Sequence, residues 1–116
     1  MGYSSFEDLE VWKRGCRIAV RIYEVMKDCR DYALKDQMAR SAVSIPSNVA
    51  EGAERDSKQE FTRFLHIAKG SAAELRTQVY IAQKIGVLSA EVQQELTDEL
   101  KQISAMLHAL ATYLKT

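Results

Sequence analysis

Proline is almost absent from this chain, cysteine and glycine are scarce, and no net charge is left over. A single proline in 116 residues excludes a proline-rich spacer, and five glycines leave no composition for a low-complexity or disordered stretch. The two cysteines, Cys16 and Cys29, fall in one helical pattern at a spacing that places them about 20 Å apart along the axis. A disulfide needs Cα atoms within about 7 Å, so two free thiols packed among apolar neighbours are expected. Sixteen basic side chains balance sixteen acidic ones, which removes any overall field toward nucleic acid or an anionic membrane. No long apolar run is present, and the opening MGYSSFEDLE lacks the basic and apolar segments of a secretory signal. A cytoplasmic protein without a membrane partner is expected. What remains, 47% hydrophobic and 28% charged residues, suits one domain over residues 1–116 with a core of its own.

Four amphipathic patterns account for nearly all of it. The first begins near Ser5 or Asp8 and runs to about Cys29, with Leu9, Trp12, Cys16, Ala19, Tyr23 and Met26 in 3, 4 spacing. A second row, Val11, Gly15, Ile18, Ile22, Val25 and Cys29, lies beside it, so the apolar surface spans about 200° where a bundle core needs about half that. The second pattern carries Leu34, Met38, Ala42, Ile45, Val49 and Ala53 and does not slip at Pro46. It reads either as a helix continuing through the proline, with Ser44, Ser47 and Asn48 supplying local hydrogen bonds, or as a new helix starting there under a Ser44 cap. The third opens with Ser57 and Glu60, spaced as a capping box. It follows Phe61, Phe64, Leu65, Ala68, Ala72, Leu75, Val79 and Ala82 to a C-terminal Gly86. Ser89 then caps a fourth, with Val92, Leu96, Leu100, Ile103, Leu107, Leu110 and Leu114 on its stripe. Short connections predict an all-α, antiparallel up-down-up-down four-helix bundle. The surplus on the first helix, Val11, Ile18, Ile22 and Val25, with Ile67 and Ile81 off the main stripe of the third, predicts an interface between copies in a homo-oligomer.

Chemistry is hard to find. His66 and His108 stand alone, with no Glu-x-x-His or Cys-x-x-Cys pattern and no phosphate loop, so no metal, cofactor or small-molecule substrate is expected, and no enzymatic activity. Glu74, near the apolar stripe, is read as a partner for Arg40 or Arg76. Lys13, Arg14, Arg17 and Arg21 crowd one face of the first helix. They could track the phosphates of RNA or a ribonucleoprotein, or form a solvated surface with the interleaved Glu10, Glu24 and Asp28. The alternative is a protein-interaction scaffold that leaves nucleic acid alone.

Three stretches resemble one known family. Phe6-x-x-Leu9-x-Val11-Trp12, the nonapeptide Ser44-Ile45-Pro46-Ser47-Asn48-Val49-Ala50-Glu51-Gly52, and Glu60-Phe61-x-x-Phe64-Leu65-x-Ile67-Ala68-x-Gly70-Ser71-x-x-Glu74-Leu75 are similar to bacterial four-helix bundle proteins linked to intervening sequences of large-subunit ribosomal RNA. Accessory proteins of diversity-generating retroelements are related to these. The resemblance implies a homopentamer without enzymatic activity. Its nucleic-acid-binding relatives are strongly basic, whereas this chain is neutral. Carried over by position, the motif residues are Arg40, Ser44, Pro46, Asn48, Glu51, Gly52, Gly70, Ser71, Glu74 and Leu75, expected to shape the packing between the second and third helices.

Overall fold

In the computed structural model, which describes residues 5–116, four helices follow one another: α1 (Glu10–Val25), α2 (Tyr32–Ala53), α3 (Lys58–Lys84) and α4 (Ala90–Leu114). Each packs on the next in the chain and α4 closes against α1, as short loops between antiparallel neighbours require. The result is a rod of 44 × 20 × 19 Å with no strand among the described residues. No described helix is long and apolar enough to cross a membrane.

The helix boundaries follow from local hydrogen bonding. Ser89 Oγ accepts from Val92 N at 3.1 Å and Ser57 Oγ from Glu60 N at 3.1 Å, both satisfying first-turn donors. The reciprocal half of the expected capping box does not form, because Arg63 engages the Glu60 carboxylate at 3.1 Å. That pairing holds the Glu60 carboxyl below its ordinary range. Gly86 adopts φ +82°, and the N–H groups of Val87 and Gly86 donate to the carbonyls of Ala82 and Gln83. This is a Schellman ending, open to glycine at no steric cost.

Helix α1 is shorter than its periodicity at both ends. Ser5 does cap, but it caps a separate 3-10 turn, Phe6–Asp8, accepting from Glu7 N at 3.1 Å, and α1 proper starts after Leu9. At the other end Asp31 Oδ1 takes Leu34 N at 3.1 Å to start α2, which draws Cys29 and Arg30 out of helical register. Both cysteines are free and half-buried.

Helix α2 runs unbroken through Pro46, so the continuous reading holds. Ser44 Oγ donates to Ser41 O at 2.9 Å and Asn48 Nδ2 to Ser44 O at 2.7 Å, pinning the turns on either side of the missing donor. The buried ring faces α1 at Gly15, where an added Cβ would lie 3.3 Å from Pro46 Cβ and Cδ. Proline and glycine thus let α1 and α2 approach closely.

The surplus apolar row of α1 is not the interface expected of it. Val11, Ile18 and Ile22 are buried within the chain's own core, and Val25 packs half-buried against it; they are not free to meet another copy. The neighbouring row is divided: Ala19 and Met26 are also buried, Leu9, Trp12 and Cys16 are half-buried, and only Tyr23 is exposed, at 57%, with Val20, which belongs to neither row, beside it at 59%. Periodicity reveals two rows but gives no direction to the core. That direction is set by where Gly15 permits Pro46 to dock.

Candidate functional site

Three surfaces hold the residues of interest. On the first, between α1 and α4, two arginines of α1, Arg14 and Arg21, are tied up by carboxylates of α4. Arg14 donates through Nε to Glu99 Oε2 at 2.9 Å and through Nη2 to Glu99 Oε1 and Gln102 Oε1, both at 2.6 Å. Arg21 makes the same bidentate contact with Glu95 at 2.8 and 3.0 Å, and Arg17 reaches Glu10 at 3.3 Å. The hydrogen bonds to Glu99 and Glu95 raise the two guanidinium pKa values further above their ordinary range, and Arg21 in turn holds the Glu95 carboxyl below its own. The groove there is lined by Arg14, Arg17 and Arg21 against Glu10, Glu95, Asp98 and Glu99. Three cations meet four acids, and Lys13 lies outside on the exposed side. A phosphate chain would have to displace internal ion pairs to bind here.

The second surface, between α2 and α3, gathers the motif residues. Gly52 is where α3 comes closest: a Cβ there would lie 2.6 Å from Phe64 Cβ and 3.0 Å from Phe61 Cδ1. Leu75 is fully buried, and Ser71 is half-buried beside it on α3. Glu74 pairs with neither Arg40 nor Arg76; its Oε1 accepts from Ser41 Oγ at 2.8 Å. Glu51 instead meets Arg55 at 3.2 Å. Arg40 lines an open groove of about 450 Å³ with Gln37, Ser41, Ser44, Glu74 and Gln78. Gly70 serves no close packing within the chain, since an added Cβ meets nothing within 4 Å. Two residues of this seam escape sequence reasoning. Ser41, 4% exposed, is a polar residue at a core position of the stripe, which is a readable signal. Gln78, whose Oε1 is buried without a partner, gives none.

The third surface is apolar. Trp12, Cys16, Ala19, Val20 and Tyr23 of α1 and Val43, Pro46, Ser47 and Ala50 of α2 line an open groove of about 440 Å³, with burial pushing the Cys16 thiol pKa up. Ile67 and Ile81, 40% and 46% exposed, lie away from it on α3. Among the described residues no three His, Cys, Asp or Glu side chains gather as a metal site would require.

A search of curated proteins gives no match. Among solved structures, the fold is similar to that of a protein of unknown function from the S23 ribosomal protein family of Bacteroides thetaiotaomicron VPI-5482. The TM-score is 0.82 at 22% identity, over 87% of this chain and 97% of the other, a likeness of fold. The sequence profile named 23S rRNA-intervening sequence protein matches residues 7–109, spanning the α2 nonapeptide and the Gly70-to-Leu75 run of α3. The chain belongs to the 23S rRNA-intervening sequence protein family.

Proposed function

We propose that this protein is a non-enzymatic helical scaffold that assembles with copies of itself through the apolar groove between α1 and α2. The observation that carries the reading is the lining of that groove: Trp12, Val20, Tyr23 and Val43 form one patch with no charged side chain in it, and Val20 and Tyr23 are each more than half exposed. Contiguous grease of this kind marks a docking surface. A second copy is the fitting occupant because the chain carries further exposed apolar side chains, Ile67 and Ile81, about 21 Å apart along a different helix, α3. A groove on α1 and α2 meeting these side chains of α3 on the next copy is a head-to-tail contact, which closes into a ring when the rotation allows. The homopentamer implied by the family resemblance is one such closure. Two free thiols accord with work in the reducing cytoplasm.

The RNA reading of Lys13, Arg14, Arg17 and Arg21 loses support, because Arg14 and Arg21 hold α4 in place. Native mass measurement tests the scaffold. The wild type should run as a multiple of 13.1 kDa at micromolar concentration, and V20E/Y23E, which alters only exposed positions, should run as a folded single chain. A wild type of 13.1 kDa, or a variant with unchanged mass, would overturn the proposal.

A further inference from the structure

Helix α4 has a second flank, facing α3, and its charges are arranged differently. The open groove there, about 450 Å³, is lined by Ala73, Arg76, Thr77 and Tyr80 of α3 and Gln93 and Thr97 of α4, with no carboxylate. Steps of three and four residues extend it in both directions. On α3 they add Lys69 and Lys84; on α4 they add Lys101 and His108. Contacts fix several of these side chains on the seam. Lys69 Nζ lies 3.5 Å from His108 Nδ1, and Lys84 Nζ lies 5.4 Å from the centroid of the Tyr80 ring. Asp98, one turn before Lys101, lines the other flank of α4 and accepts from Gln94. Among the described residues, none of Lys69, Arg76, Lys84 and Lys101 is ion-paired to a carboxylate. Here the cations are uncompensated.

We infer that the α3–α4 seam is a nucleic-acid-binding face, with Lys69, Arg76, Lys84 and Lys101 along the sugar–phosphate backbone of a single strand and a base stacked on Tyr80. From Lys69 to Lys84 the helix rises about 22 Å, a length over which one strand carries several phosphates, at about 3.4 Å each in duplex geometry. Tyr80 is 54% exposed, so its ring can take a base, a contact every base can make. Gln93 Nε2 donates to Thr97 Oγ1 at 2.9 Å, which leaves the Thr97 hydroxyl proton free to meet a phosphate oxygen. A lipid surface fits less well, because the groove interleaves its cations with threonine and glutamine rather than with an apolar face. This site is distinct from the α1 row and from the apolar groove, so binding and assembly can fail separately.

The test uses a fluorescein-labelled 20-nucleotide single-stranded RNA and the full chain. Four phosphate contacts predict affinity falling about 50-fold between 50 and 200 mM salt, from a slope of about 0.7 per contact. R76E/K84E/K101E should bind at least 30-fold more weakly at 50 mM salt, Y80A about tenfold more weakly, and K13E/R17E within twofold of the wild type. Circular dichroism checks that each variant keeps its helices; should the triple variant melt, R76Q, expected about fivefold weaker, replaces it. The inference is overturned if the wild type does not bind at 50 mM salt, or if K13E/R17E loses as much as the triple variant. Binding to phosphatidylserine vesicles without binding to RNA overturns it equally.

Discussion

The two flanks of α4 differ in one respect that the amino-acid composition hides. Toward α1, arginines and carboxylates meet in bidentate pairs, Arg14 with Glu99 and Arg21 with Glu95; toward α3, Arg76 stands among threonine, tyrosine and glutamine. A neutral total therefore hides one seam that cancels itself and one that does not, the balancing acids lying elsewhere on the chain. Net charge speaks for a surface only after the fold has chosen which charges become partners. The flank that looks basic along α1 is structural, and the flank that attracts no notice in the sequence is the open one.

Substitutions can break or sharpen this contrast. The largest effect should come from beneath both flanks: Leu100, fully buried, becomes a cavity in Leu100→Ala. Chemical denaturation should show a loss of about 3 kcal/mol, indifferent to salt. A loss below about 1 kcal/mol would mean that the flanks do not share one core. Next comes Arg14→Met, which strips Glu99 and Gln102 of a partly buried partner. A cost of about 1–2 kcal/mol is expected, and a double-mutant cycle with Glu99→Gln should show coupling that the cycle of Arg76→Gln with Thr97→Ala lacks.

Smaller still is Glu95→Gln, below about 1 kcal/mol because both partners are substantially solvated. Its sign depends on pH. Arg21 lowers the folded-state pKa of Glu95, so the unfolded chain takes up the proton first on acidification. The contribution is complete above the unfolded carboxyl value of about 4.3 and is lost as pH falls through the lower folded value. Melting curves from pH 3 to pH 7 should accordingly show wild type and Glu95→Gln converging in acid and separating toward neutrality. Smallest is Arg76→Gln, with stability within about 0.5 kcal/mol of wild type. If it costs as much as Arg14→Met, the two flanks are alike and the contrast is gone.

Much of the fold is legible in the sequence because local chemistry specifies it. Ser57, Ser89 and Gly86 mark helix ends through bonds that span three to five residues, and the unslipped stripe across Pro46 gives a continuous α2. The ends of α1 are less readable, since Ser5 and Asp31 are both good caps but serve the neighbouring elements. Long-range choices are not written locally at all. Which row of α1 turns inward depends on Pro46 meeting Gly15, and which arginines are engaged depends on α4, some 85 residues further on. Gly52 and Gly70 look equivalent in the motif, yet α3 fills the space beside Gly52 on α2, while Gly70, on α3 itself, has nothing within 4 Å of where a Cβ would lie.

The allocation of charge between the flanks can be observed side chain by side chain. Nitrogen-15 spectra of the arginine Nε–H groups at neutral pH should show Arg14 and Arg21 as sharp, slowly exchanging signals, held by Glu99 and Glu95 at 2.9 and 2.8 Å, and Arg76 exchanging rapidly with solvent. Equal exchange at all three would contradict the account.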